Sequence, residues 1–225
     1  MRLTDAELEY REKYAYLPST QSELIEYLEN NIKLDKKKVE AEEDRIRAIQ
    51  WERVLIEANI IPHGSPRPRY SSVTGTFYVK GAKQMKKYFT KIIQEHKILC
   101  TRVEYSLRAY MPTPTSTMNN TEIYLAEKGL ILPISTSDWD NLAKTYTDCL
   151  QDVLLLNDNI INPGHVYKYY SIKPRIEIEI RYQVSHDSKY NKRKTESTVA
   201  YKKMIEAGYE QNNGVLRKDE KEGLE

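Results

Sequence analysis

Cysteine is scarce in this chain: among 225 residues only Cys100 and Cys149 occur, both inside apolar patterns. They read as small buried hydrophobes in a reducing compartment, and nothing in the pattern supports a disulfide between them. The four histidines are scattered, and no Cys/His spacing points to zinc. No apolar run approaches the roughly 20 residues that cross a bilayer. Met1-Arg2-Leu3-Thr4-Asp5 runs straight into charged sequence, without the apolar core of a signal peptide. A cytoplasmic protein with no membrane contact is expected. The formal net charge is only +2, so total charge excludes no partner; its distribution along the chain is more informative.

The length suits one domain of good size plus appendages. Three parts are expected: a helical arm over 1–50, a central domain over 51–183 and a charged, partly disordered tail over 184–225 with a helix at Val199 to Ala207. In the arm, Thr4-Asp5-Ala6-Glu7 and Thr20-Gln21-Ser22-Glu23 are capping boxes. The first starts a short helix to about Tyr16, before Pro18. The second starts a longer one whose thin apolar stripe is Leu24, Leu28, Ile32, Val39, Ile46 and Ile49, with a break near Asn30-Asn31 or Leu34-Asp35. Such a stripe is a packing surface or a binding surface for an unknown protein partner.

From Trp51 the period changes to that of a strand, ending at Ile60-Ile61-Pro62. Next comes His63-Gly64-Ser65-Pro66-Arg67-Pro68-Arg69-Tyr70, whose prolines forbid helix and present Arg67 and Arg69 in extended chain. Arginine makes bidentate contacts with phosphate. A short hairpin about Gly75 leads to a helix over 81–96 with Met85, Tyr88, Phe89, Ile92 and Ile93 on its buried stripe and Lys83, Lys86, Lys87 and Lys91 elsewhere. Between Arg67 and Lys97 the only acid is Glu95. This is either a solvated face or the footprint of a polyanion.

Ile98 to Met111 reads as one long strand, and Asn120 to Lys128 as a short helix ended by Gly129. Ile160 to Ile172 is a strand interrupted early by Pro163-Gly164. Arg175 to Tyr182, where Ile176, Ile178 and Ile180 alternate with Glu177, Glu179 and Arg181, is the clearest strand of all. The fold class is therefore α+β, a mixed sheet with packed helices.

The chain is organised around Ser137-Asp138-Trp139-Asp140-Asn141-Leu142-Ala143-Lys144 and its continuation to Asp158. Asp140 falls at the N-cap or first turn of a helix, and Lys144 and Asp148 follow it at successive four-residue steps, so the three share a face. Asp138 precedes the helix, and two residues of extended chain point the same way, so it can share a site with Asp140. Clustered carboxylates suit Mg²⁺ or Mn²⁺ and repel one another without a cation or proton between them. The plainer alternative is that Asp138 and Asp140 are caps and Lys144–Asp148 an exposed ion pair.

This order of parts resembles the RusA family of Holliday junction resolvases: an extended Pro-Arg-Pro-Arg loop, a basic helix and a strand; then Asp138-Trp139-Asp140-Asn141-Leu142-Ala143-Lys144 with Asp148 and Asp158; then Lys173-Pro174-Arg175 and an alternating strand. The likeness runs from about Val54 to Tyr182. It implies a homodimeric endonuclease that cuts opposing strands of four-way DNA with Mg²⁺, leaving 5′-phosphate and 3′-hydroxyl ends. The metal ligands would be Asp138, Asp140 and Asp158, and the essential lysine Lys144, the four together forming the catalytic set. Arg67, Arg69, Lys83, Lys87, Lys168 and Lys173 would contact the DNA backbone. The chain departs from the family pattern in having Ser135-Thr136-Ser137 where a basic residue and a proline are usual, and Asn157 where a second aspartate is usual. The rival readings are a metal nuclease with broader substrates, and a non-catalytic junction-binding or assembly protein with a decayed site.

Overall fold

Three helices come first: α1 (Asp5–Tyr14), α2 (Gln21–Asn31) and α3 (Lys36–Arg47). The computed structural model describes residues 5–64, 69–71, 76–78, 82–93 and 97–218. These fall into two units, Met1–Ala48 and Ile49–Glu225. In the first unit, α2 starts at the expected capping box, with Thr20 Oγ1 accepting from Glu23 N–H at 3.3 Å. The break before α3 falls over 32–35, and Asp35 caps the new helix. No residue of α1, α2 or α3 is buried. The first of the two capping boxes, at Thr4, lies outside the described residues.

The second unit is built on a four-stranded sheet in the order β1 (Trp51–Ala58), β7 (Arg175–Gln183), β5 (Val103–Pro112) and β6 (Ile161–Ser171). β7 runs antiparallel to both neighbours, and β5 and β6 run parallel. The alternation in β7 has a direct cause in its central position. Ile176, Ile178, Ile180 and Tyr182 are buried, facing Ala109, Leu107, Tyr105 and Val103 across the ladder with β5. On the other face the charges pair: Arg181 with Glu104 at 2.8 Å, Arg175 with Glu177 at 2.8 Å, and both Arg53 and Arg108 with Glu179 at 3.6 Å. Such partly exposed pairs contribute little stability; the buried face does most of the stabilising.

Two helices cover the apolar face. α4 (Ala82–Ile92) buries Phe89, with Met85, Tyr88, Ile92 and Ile93 packed around it. α6 (Trp139–Leu150) buries Leu142, Tyr146, Cys149 and Leu150. The two meet where the Phe89 and Tyr146 rings pack edge to face with centroids 6.0 Å apart. The remaining elements are a two-stranded ladder, β2 (Arg69–Ser71) with β3 (Thr76–Tyr78), and α5 (Asn120–Glu127), capped by Asn119 and ended at Gly129 with φ +74°.

Two expectations are corrected. The apolar stretch from Ile98 to Met111 is two strands, not one. β4 (Lys97–Leu99) leaves for a second sheet before β5 begins, because Cys100 N–H donates to the Gly214 carbonyl and Thr101 Oγ1 to the Gln183 carbonyl. The chain past Ser185, where composition predicts a tail mobile outside a helix over Val199 to Ala207, has that helix and is folded around it through Lys218. It forms α7 (Lys189–Ser197), α8 (Val199–Glu206) and the hairpin β8 (Glu210–Asn212) and β9 (Val215–Arg217), which extends β4 into a three-stranded sheet. Met204, Val215 and Leu216 are buried, and Met204 and Leu216 pack with Ile98, Cys100 and Leu156. Gly214 has φ +75°, and a Cβ there would run into the Gln183 carbonyl, so only glycine fits the turn.

Candidate active site

α6 carries the acidic motif outward from the core. Leu142, Tyr146 and Leu150 anchor it in the core, which leaves Asp140, Lys144 and Asp148 exposed along the helix. Asp138 sits at the N-cap in extended conformation (φ −60°, ψ 148°) but makes no side-chain capping bond. The capping alternative therefore does not describe its carboxylate. Asp140 lies in the first turn, where the helix dipole favours negative charge.

The residue before Asp138 gathers two other parts of the chain. Gly64 N–H donates to Ser137 Oγ at 3.0 Å, and Lys168 Nζ donates to the Ser137 carbonyl at 3.3 Å. Gly64 lies so close to Asn141 that a Cβ would overlap the Asn141 amide. One residue earlier, His63 N–H donates to the Tyr146 hydroxyl at 3.2 Å. Burial pushes the Tyr146 phenol up to about 12, so it stays protonated at neutral pH. The chain entering the arginine loop is thus fastened to the first two turns of α6, and Lys168 reaches the same place from β6.

Asp158 opens a short 3₁₀ turn, Asp158–Ile160, after the buried run Leu154–Leu156. Its electrostatic neighbour is Asp148. The Asp148 carboxyl is held above its ordinary range chiefly by partial loss of hydration; Lys144 opposes the rise, the Asp158 charge adds to it and Lys86 opposes it. Lys86 also pairs with Asp152 at 3.3 Å, tying α4 to the turn after α6. Asn157, the departure from the resembled pattern, accepts from Asn159 N–H at 3.1 Å and so caps the 3₁₀ turn.

The model of the endodeoxyribonuclease RusA family matches residues 59–181. A Bacillus subtilis (strain 168) protein, described only as the uncharacterized protein YqaN, is 31% identical over 127 residues, which cover 53% of this chain and 89% of that protein. The chain belongs to the RusA endodeoxyribonuclease family.

The RusA-family match spans the acidic helix, Lys168, Lys173 and the arginine loop, and excludes α1 to α3 and everything from α7 onward. Lys83 and Lys87 are exposed on α4, on the same open surface as Lys86 and Lys91. Lys173 is exposed in the β6–β7 turn. Arg67 lies outside the described residues; the backbone of Arg69 pairs with Tyr78 in β2. Among the described residues no three His, Cys, Asp or Glu side chains are gathered to hold a metal ion. The donors present are hard carboxylate oxygens, the kind Mg²⁺ prefers, and Mg²⁺ is commonly held by one or two carboxylates with water and substrate phosphate completing its shell. The Asp138–Asp140 segment fits that partial role and does not form an all-protein cage.

Sequence reasoning did not single out Ser137, Gly64 or Lys86 for the site. Ser137 was visible only as the residue that opens the acidic stretch, with no role of its own, and Lys86 only as one lysine among several. Among the described residues no helix is long and apolar enough to cross a membrane.

Proposed function

We propose that this RusA-family chain resolves four-way DNA junctions in the cytoplasm, as a homodimer that cuts two opposing strands by Mg²⁺-dependent phosphodiester hydrolysis. A two-fold dimer would match the near-symmetry of the junction and set one site on each of two strands. The observation that carries the reading is the start of α6: two exposed carboxylates, Asp138 without a capping bond, beside Lys168 and the lead-in to the arginine loop.

In this reading Asp138 and Asp140 hold the cation with water and DNA phosphate, Asp158 closing on it only once the ion and DNA are bound, and Mn²⁺ is an alternative occupant. Bound there, it would activate water and neutralise phosphate charge. Lys144, one turn beyond Asp140, faces the developing negative charge. Asp148 orients Lys144 and Lys86. Arg67, Arg69, Lys83, Lys87, Lys168 and Lys173 grip the backbone, positioning DNA without reading its sequence.

The test is cleavage of a labelled mobile junction against a matched duplex, with Mg²⁺, with Mn²⁺ and with chelator. Paired, metal-dependent cuts in the junction alone support the proposal. Equal cutting of duplex makes the enzyme a broader nuclease, and binding without cutting under every metal makes it a junction-binding protein.

A further inference from the structure

A cavity of about 440 Å³ lies beside the turn that carries Asp158, lined by Asn157 and Asn159 together with residues of α7. Small-molecule sites span roughly 300–1,000 Å³, so the space suits a single nucleotide. One wall is made by His186 and α7, beyond residue 181 where the family match ends. This chain therefore adds the cavity to the RusA framework with its own C-terminal elements.

The lining mixes polar and apolar surface and carries two cations. Arg102 donates its Nε–H to the Asn162 carbonyl at 2.9 Å and lies over the Trp51 ring, and Lys194 lies over the Tyr190 ring. Among the described residues neither forms an ion pair. Asp187 brings the opposing charge, and one of its oxygens accepts from Asn191 at 2.6 Å. His186 Nε2 is buried with no hydrogen-bond partner among the described residues. Burial lowers the pKa of this ring, against the opposing pull of Glu196 and Asp187 and with a small push from Lys192, so it is neutral at pH 7 and offers one donor and one acceptor. Asparagine amides and a neutral imidazole match the mixed donor and acceptor edges of a base, and the cations match a phosphate.

We propose that this cavity receives one unpaired nucleotide of the bound DNA strand, its phosphate at Arg102 and Lys194 and its base edge at Asn159, Asn162 and His186. A base leaves its stack at least cost where pairing is already broken, as at a branch point. The proposal rests on the junction reading above for the identity of the DNA. It places the nucleotide next to the candidate phosphate site, because Asn157 and Asn159 line the cavity on either side of Asp158 in sequence.

The experiment uses the full chain at saturating concentration, in chelator so that no strand is cut, with junctions carrying 2-aminopurine at successive positions around the branch. The expected result is a several-fold rise in fluorescence at one or two positions with the unsubstituted chain. That rise is expected to be lost in Lys194→Glu and in His186→Ala, with both variants melting cooperatively and still binding the junction. Binding with no brightened position, or a rise that persists in both variants, overturns the cavity proposal alone. A chain that does not bind the junction at all overturns the proposed function, and this proposal with it.

Discussion

Gly64 and Ser137, which precedes α6, are joined by a 3.0 Å hydrogen bond, so the chain after β1 is fastened to the chain that leads into the acidic helix. Asn141 packs against Gly64 where a methyl group would sit. Gly64→Ala is expected to push the loop off Asn141 and Ser137 while leaving the core intact. Junction cleavage should fall by about 10–100-fold, the scale on which small misplacements act, with only a small drop in melting temperature. An unchanged rate would show that the fastening point does not position the site.

Lys168 offers a separate test, because it touches a backbone carbonyl and not a carboxylate. Lys168→Met is expected to weaken junction binding and to lower the slope of log affinity against log salt by about one, the loss of one phosphate contact. The affinity change should be the same for junctions of different sequence. Titrations at several salt concentrations give the slope directly, and an unaltered slope would remove Lys168 from the DNA interface.

The Asp148 carboxyl has a folded-state pKa raised above its ordinary 3.8, so the folded protein holds this proton to higher pH than the unfolded chain. The contribution of Asp148 to stability is therefore greatest below the ordinary carboxylate pKa and falls as pH rises from there through the raised folded value. Asp148→Asn removes that dependence. Melting curves of the two proteins from pH 3 to pH 7 should show the variant gaining on the parent as pH rises through this window. A difference that stays flat or shrinks would contradict the assigned sign.

Tyr146 connects core packing to the loop. Its ring packs on Phe89 and its hydroxyl accepts the His63 N–H. Tyr146→Phe keeps the ring and strands a part-buried donor, which costs about 1–3 kcal/mol. A lowered denaturation midpoint with an unchanged m-value is the expected outcome; no change would mean that water takes the place of the hydroxyl.

Much of this arrangement was legible in the chain itself, for identifiable reasons. β7 could be read because a central strand with one buried face must alternate, and α6 because Leu142, Tyr146 and Leu150 keep helical spacing through a charged motif. The split between β4 and β5 was hidden because apolar residues run on through the junction and the departure is set by hydrogen bonds to Gly214 and Gln183, more than 80 residues away in sequence. The C-terminal hairpin and its packing were hidden because Met204, Val215 and Leu216 are few among many charges, and average composition does not reveal that Met204 and Leu216 share a cluster with Ile98, Cys100 and Leu156. In the site, the shared face of Asp140, Lys144 and Asp148 followed from spacing. The meeting of Gly64, Ser137 and Lys168 is purely tertiary, and no local pattern encodes it.

The most direct measurement of the central claim is cleavage and binding of a four-way junction by Asp140→Asn beside the parent chain, in Mg²⁺. The account predicts that cleavage is abolished while junction binding is kept or tightened, since a carboxylate that repels phosphate has been removed without loss of shape. Cleavage at the parental rate would contradict it, leaving Asp140 a first-turn helix residue and moving the cutting centre elsewhere.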